Sequence, residues 1–191
     1  AGDDVESWLH SLLCLDATAD GAPLKQACPH PSECELYRVN RDTLFSHHSA
    51  SEDFLHAMMS LYVSSHYKNS PNDLQLLSDA PAHQLYVLLG PIDSMSTSTP
   101  DVLCVVQVCL EGQISKASVM GQISRGVRAA GDLIPWTIAQ QFQDADFAGL
   151  SGARIVRIAT HPDLARMGYG SRALQLLYDF FEGNLSDLSE P

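Results

Sequence analysis

The fold is decided by one stretch of the sequence, Ala153-Arg-Ile-Val-Arg-Ile-Ala-Thr-His-Pro-Asp-Leu-Ala-Arg-Met-Gly-Tyr-Gly-Ser-Arg-Ala-Leu-Gln-Leu-Leu177. Its first part, up to Thr160, is rich in β-branched residues and predicts a strand. Its last part, from Gly170, has the apolar spacing of a helix. The loop between them contains two glycines, and the first amides of a helix have no intrahelical partner. The stretch therefore predicts an anion site for a ligand that carries a pyrophosphate.

The two glycines also satisfy the dinucleotide pattern G-x-G-x-x-G/A, as Gly168-Tyr-Gly-Ser-Arg-Ala173. The match is weak, because in that fold the first glycine follows its strand directly, whereas residues 162–167 intervene here. The acidic residue that binds the ribose is expected about 20 residues later, at the end of a second strand. Only Asp187 is close to that position, in a segment without strand character. No Gly-Lys-Ser/Thr follows the glycines, which excludes a Walker phosphate loop.

The loop resembles the coenzyme A (CoA) loop of the GCN5-related N-acetyltransferases, written R/Q-x-x-G-x-G/A. Gly168 and Gly170 match, whereas the first position, usually Gln or Arg, is Ala165, with Arg166 next to it. Because Ala165 is uncharged, we expect the backbone amides of Met167 to Ser171 to make most of the phosphate contacts. The implied cofactor-binding residues are Ile158, Ala159, Thr160, Ala165, Arg166, Met167, Gly168, Tyr169, Gly170 and Ser171. A glycine-rich turn without function is the alternative.

Six blocks, which follow each other in the family's order and include the loop just described, resemble the RNA cytidine acetyltransferase family. They are Ser64–Gln75, Leu77–His83, Gln107–Gly112, Gly131–Trp136, Leu150–Ala159 and Gly168–Leu177, and the likeness covers residues 34 to 182. The resemblance implies acetylation of the exocyclic amine of cytidine in small-subunit rRNA and in certain tRNAs, with acetyl-CoA as donor. It implies ATP only in a separate helicase module, whose phosphate loop this sequence lacks. The implied location is nucleolar or nuclear in a eukaryote and otherwise cytoplasmic.

The expected fold is α/β, a mixed sheet flanked by helices as in the GCN5-related N-acetyltransferases. We expect residues 1–48 to be the tail of a preceding, helicase-side region and residues 49–191 to form the N-terminal and central part of the acetyltransferase domain. The patterns predict strands at 84–89 and 102–110, a central strand at 154–160, and helices at 49–67 and 170–182. In the last helix, Ala173, Leu174, Leu177 and Phe181 should pack back onto the central strand. We expect the sheet to be truncated after this helix.

The charge and the cysteine content of the sequence indicate which partners and metal sites to expect. The formal net charge is −12, which repels a polyanion, so we expect other parts of the protein to supply most RNA phosphate contacts. The five cysteines have no repeated spacing, which argues against a disulfide framework. Cys28-Pro-His-Pro-Ser-Glu-Cys34 lacks the fourth ligand of a structural zinc site, so we predict no metal. No apolar run is long enough to cross a bilayer, and a homo-oligomer is possible.

Acetyl transfer to an aromatic amine can proceed by direct attack, which requires positioning, polarisation of the thioester carbonyl and removal of a proton. His66 is the favoured proton acceptor, because an imidazole titrates near neutral pH and this one lies in a family-like block. His161 could fix the loop instead, and Asp79 and His83 are candidates without a stated role.

Other assignments stay open at this point. Arg125 and Arg128 either contact RNA or lie in a solvated loop. For Trp136 we favour a position in the core over a role in stacking on a base. A degenerate interaction module and an acetyltransferase for protein or small-molecule amines are the alternative functions.

Overall fold

The structure is a computed structural model that describes residues 3–17, 24, 28–65, 71–92, 98–127 and 131–185. Within these ranges the structure consists of helices and the strands of one antiparallel sheet. In chain order they are α1 (Asp4–Leu12), β1 (Glu35–Arg38), α2 (Arg41–Leu44), α3 (Ser49–Ser65), α4 (Pro71–Asp79), β2 (His83–Leu89), β3 (Val102–Gly112), α5 (Lys116–Ser124), α6 (Leu133–Phe142), β4 (Ser151–Thr160) and α7 (Tyr169–Phe181). In the described part of the chain, 3₁₀ turns lie at Pro31–Glu33, Phe147–Gly149 and Pro162–Leu164.

The sheet has the order β1-β2-β3-β4. β1 and β2 are antiparallel, with Glu35 opposite Leu89 and Arg38 opposite Tyr86. The backbone N–H of His161, just after β4, donates to the carbonyl of Leu103 in β3. The α/β class predicted from the sequence is therefore confirmed, although the described strands include no parallel pair. The domain boundary predicted at residue 48 stays a prediction, and β1 lies on its N-terminal side.

The chain divides into two compact units, residues 1–107 with 157–191, and residues 108–156. In the first unit, alternate residues of β2 serve opposite faces of the sheet, as the period of a strand requires. Leu85, Val87 and Leu89 join a core with Met58 and Leu61 of α3. Tyr86 points the other way, and its ring lies 6.2 Å from that of Phe180 in α7.

The second unit has its own small core. Trp136 of α6 is 1% exposed and packs with Val119 of α5 and with Ala139, Ala145 and Ala148. The core position predicted for Trp136 is confirmed. The side chain of Glu111, at the end of β3, accepts hydrogen bonds from Arg154 Nε (2.6 Å) and from the backbone N–H of Ile134 (3.1 Å). The ion pair joins β3 to β4, and the hydrogen bond from Ile134 ties the start of α6 to the same carboxylate.

Two predictions about the decisive stretch need correction. β4 is the last strand of the described sheet rather than a central one, and only Ala159 of its residues is buried. In α7, Ala173 and Leu177 are buried as predicted and Leu174 is 39% exposed, whereas Phe181, although 43% exposed, packs its ring against Tyr86 of β2, with 6.4 Å between the ring centroids. None of the described helices has the length and hydropathy of a membrane span.

Candidate functional site

The end of β4 presents backbone amides along an edge that no described strand covers. The N–H of His161 points toward β3, where it donates to Leu103 O at 2.9 Å. Successive N–H groups of a strand alternate between its two edges. The N–H groups of Ile158 and Thr160 therefore point away from β3, whereas that of Ala159 points toward it. Two of the three amides predicted to polarise a carbonyl thus lie on the open edge.

The turn after β4 is held by its own hydrogen bonds. His161 is 3% exposed, and its Nδ1 accepts the backbone N–H of Asp163 at 3.3 Å, which caps the 3₁₀ turn. The structure thus places His161 where it fixes the loop. The amide of Ala165 donates to Pro162 O and that of Met167 to Leu164 O (3.2 Å). The Met167 amide is therefore already hydrogen-bonded inside the turn, and its predicted contact with a phosphate stays a prediction.

The start of α7 has the backbone of an anion site. Gly168 lies at φ +94°, in the left-handed region, and no side chain caps the helix. The first intrahelical bond runs from Arg172 N to Gly168 O at 2.9 Å. The amides of Tyr169, Gly170 and Ser171 precede this bond and so have no intrahelical acceptor. Three N–H groups and the positive end of the helix dipole are therefore available to an anion.

Gly170 brings this helix start close to β4. A Cβ at position 170 would lie 3.1 Å from Thr160 Oγ1, which is tighter than an ordinary van der Waals contact. The free amides of α7 and the open-edge amide of Thr160 are therefore neighbours. This fits a ligand that carries a phosphate group and a carbonyl a short distance apart, and CoA thioesters have both.

The backbone is strained at Arg166, three residues before the first residue of α7. Arg166 adopts φ +65°, a left-handed conformation that costs a residue with a Cβ about 1 kcal/mol or more. Its side chain is exposed, so the cation predicted to replace the one missing at Ala165 lies in solvent beside the loop. The sequence gives no signal for this φ.

Other predicted residues have structural roles or lie elsewhere. His66, the predicted proton acceptor, and Arg128 lie outside the described residues. His83 Nδ1 is 2.9 Å from Gln107 Nε2, within the sheet, and Asp79 accepts a hydrogen bond from Ser78 Oγ at the exposed end of α4.

One group was missed by the sequence reasoning. Arg157 Nη2 of β4 lies 2.8 Å from Asp73 Oδ1 of α4, and its guanidinium lies over the ring of Tyr62, 5.7 Å from the centroid. A cation inside an apolar strand is the signal that could have pointed to it. The group links β4 to α3 and α4, the two helices that flank residues 66–70.

A cavity of about 660 Å³ lies among α1, α2, α3 and α4. Its lining is mostly apolar, with Trp8, Leu12 and Leu44, and includes His47 and Glu52. No residue of the predicted cofactor site lines it, so the start of α7 remains the candidate site.

A family described as GNAT acetyltransferase 2 matches residues 57–191, a range that contains β4, the turn and α7. The chain belongs to the GNAT acetyltransferase 2 family. It is 65% identical to the RNA cytidine acetyltransferase of Saccharomyces cerevisiae, with 99% of this chain and 18% of that protein covered. It is 60% identical to that of Homo sapiens, with the same coverage. The RNA cytidine acetyltransferase of Achlya ambisexualis is 64% identical, with 96% of this chain and 50% of that protein covered.

The GNAT acetyltransferase 2 membership fits the geometry of the site. A family of acetyltransferases needs a place for an acyl carrier, and the amides of β4 and α7 provide hydrogen-bond donors for one. The chain spans about 18% of the length of the yeast and human relatives.

Proposed function

We propose that this chain is the part of an RNA cytidine acetyltransferase that binds acetyl-CoA, and that the whole protein acetylates the exocyclic amine of cytidine. The observation that carries the proposal is the set of free amides at Tyr169, Gly170 and Ser171 beside the end of β4. Bound acetyl-CoA supplies an acetyl group activated as a thioester. The names of the relatives, which are 58–65% identical to this chain, support RNA cytidine as acceptor.

In this proposal, three groups of residues in the chain have different roles in the reaction. The amides of α7 bind the pyrophosphate, since they are donors without intrahelical acceptors. The open-edge amides of Ile158 and Thr160 donate to the thioester carbonyl oxygen and stabilise the charge that develops there. His66 accepts the proton that the amine loses, because an imidazole can take up a proton near neutral pH.

The test of the chemistry uses the intact protein, radiolabelled acetyl-CoA, and RNA or peptide acceptors. Label in RNA, released as acetylated cytidine after nuclease digestion, supports the proposal. Label in peptides alone would favour an acetyltransferase for protein amines. An interaction module without activity, which the missing cation at Ala165 favours, predicts that CoA fails to bind in calorimetry.

His66 is tested by substitution with Gln. A general base at this position predicts a fall in kcat of about 10²-fold or more, with the acidic limb of the pH profile lost and the affinity for CoA unchanged. An unchanged pH profile would assign the proton to another group.

The distribution of charge supports a particular RNA-facing unit. Residues 108–156 contain four basic and four acidic residues, so the whole net charge of −12 belongs to the other unit. This neutral unit repels RNA phosphates less than the acidic unit does. We propose that RNA contacts this unit, with Arg125 among the contacts because its side chain is exposed.

A matched pair of variants tests this contact. Arg125→Gln should weaken RNA binding and lower the slope of log affinity against log salt by about one. Lys116→Gln is the control, because Lys116 Nζ is already paired with Asp146 at 2.7 Å. Equal effects of both variants, or no effect of Arg125→Gln, would contradict the proposal.

Several wider features are proposed with the function. We propose rRNA and tRNA as the RNA substrates, use of ATP by a separate module, and a nucleolar location. Sequencing of acetylated cytidines after depletion of the protein tests the substrates. A fluorescent fusion that stays outside the nucleolus would contradict the location.

A further inference from the structure

The segment Cys28–Cys34 is a rigid piece of chain. Its 3₁₀ turn has a capping box, in which His30 Nδ1 accepts the N–H of Ser32 and Glu33 Oε2 accepts the N–H of His30, both at 3.3 Å. Prolines at positions 29 and 31 fix two further backbone angles. Segment 28–34 therefore loses little conformational freedom when something packs against it.

This segment is anchored to the sheet. It continues directly into β1, whose first residue, Glu35, pairs with Leu89. The ring of Pro29 packs against Gly90 so closely that a Cβ there would lie 2.8 Å from Pro29 Cγ. Cys34 is fully buried. Segment 28–34 thus has a fixed position relative to the strands.

The same segment contacts the first turn of α7. The hydroxyl of Tyr169 donates to Pro29 O at 2.5 Å, and Arg172 Nε donates to Cys34 O at 3.3 Å. A Cβ on Gly168 would be in contact with Pro31 Cγ, at 3.7 Å. Tyr169 is 1% exposed, so its hydrogen bond is shielded from water. The three contacts bracket the amides of residues 169–171, which are the free donors.

We infer that segment 28–34 positions the first turn of α7 for the pyrophosphate of CoA, and that Tyr169 is the positioning residue through which it acts. The inference rests on the proposed function. Segment 28–34 precedes the family match, which begins at residue 57. The CoA site of this chain therefore depends on residues outside the matched domain. Hydrogen bonds to an anion depend steeply on donor direction, so a helix start held from two sides binds better than a loose one.

Tyr169→Phe in the intact protein tests the inference, because it removes one hydroxyl and keeps the buried ring. We expect the KM for acetyl-CoA and the Kd for CoA to rise about three- to tenfold, the effect of one buried hydrogen bond. The kcat at saturating acetyl-CoA and the KM for RNA should stay within about twofold. A loss of general stability would not split kcat from KM in this way.

Tyr86→Phe is the matched control. Tyr86 is also fully buried, donates its hydroxyl to Gln84 Oε1 at 2.6 Å, and contacts α7 at its far end through Phe180. This variant should lower stability by a similar amount and leave the Kd for CoA unchanged. Hydrogen exchange without ligand gives a second readout, in which the amides of Arg172 and Ala173 should exchange faster in Tyr169→Phe than in Tyr86→Phe.

The outcomes separate the two proposals. If wild type and Tyr169→Phe bind CoA equally and their α7 amides exchange alike, the positioning role is wrong and the proposed function stands. If Tyr86→Phe weakens CoA as much as Tyr169→Phe does, the effect is general stability and the positioning role is again wrong. If wild type binds no CoA, both proposals are wrong.

Discussion

Gly170→Glu is the sharpest perturbation of the candidate site. Any side chain at this position places a Cβ 3.1 Å from Thr160 Oγ1, so the helix start or the threonine must move by a few tenths of an ångström. An overpacked contact of this kind costs about 1 kcal/mol, or roughly fivefold in affinity, if the phosphate amides move with it. The carboxylate adds a charge beside the pyrophosphate. At about 7 Å and an effective dielectric constant of about 20, the repulsion is about 2 kcal/mol per unit charge, or roughly thirtyfold.

Gly170→Gln separates the two contributions, since it has the same shape without the charge. Isothermal titration with CoA should give a Kd about fivefold above wild type for the Gln variant and more than 10²-fold above it for the Glu variant. The free energy of unfolding should change little, because replacing a helical glycine restores up to about 1 kcal/mol of helix propensity. Equal Kd values for the Glu and Gln variants would show that no anion lies at this helix start, and the assignment of the site would be wrong.

Three further predictions concern stability. Arg166→Gly should raise the free energy of unfolding by about 1 kcal/mol in urea titrations, because glycine adopts φ +65° without strain, and an unchanged or lower value would contradict the strained backbone. Burial raises the pKa of Glu111, but hydrogen bonds from Arg154 and from the amides of Ile134 and Leu133 outweigh it and leave the pKa below its ordinary value. Because the pKa of Glu111 is lower in the folded than in the unfolded state, its ionisation contributes to the free energy of unfolding. This contribution is fully present above the unfolded pKa of about 4.3, and it is lost as the pH falls through the folded pKa. Glu111→Gln should therefore cost about 3 kcal/mol at pH 7 and remove that acid limb from the stability profile, and an unchanged limb would assign it to other carboxylates. Trp136→Phe should cost about 1 kcal/mol, since the indole N–H has no partner among the described residues, whereas Trp136→Ala should cost about 3–5 kcal/mol, and thermal melts that rank the two equally would contradict this.

The candidate site could be predicted from the sequence to the extent that its features are local. The strand, the turn and the helix each have their own apolar period, and the two glycines lie at a spacing that the CoA loop shares. Gly168 and Gly170 were proposed in this way, and the amides of Ile158 to Thr160 by position on the strand and by resemblance; their roles in binding stay predictions. Trp136 was placed in a core because a single aromatic cannot form a stacking surface.

The remaining features depend on contacts between distant residues. The sequence assigned the Met167 amide to a phosphate and did not reveal that this amide donates to Leu164 O in the turn between β4 and α7. β4 was expected at the centre of the sheet, since its apolar residues favour burial on both faces. Its place at the edge of the described sheet depends on which strands pair with it, and the sequence of one strand does not specify its partners.

By itself, the sequence determined that a strand, a glycine loop and a helix follow each other here, because each has a period that neighbouring residues alone produce. Only the tertiary structure decided how the helix start is held. Tyr169 and Pro29 are 140 positions apart, and their hydrogen bond forms only because β1 pairs with β2 and brings segment 28–34 over α7. The packing of the whole sheet brings the buried hydroxyl and the carbonyl within hydrogen-bonding distance, and a local sequence pattern does not specify that packing.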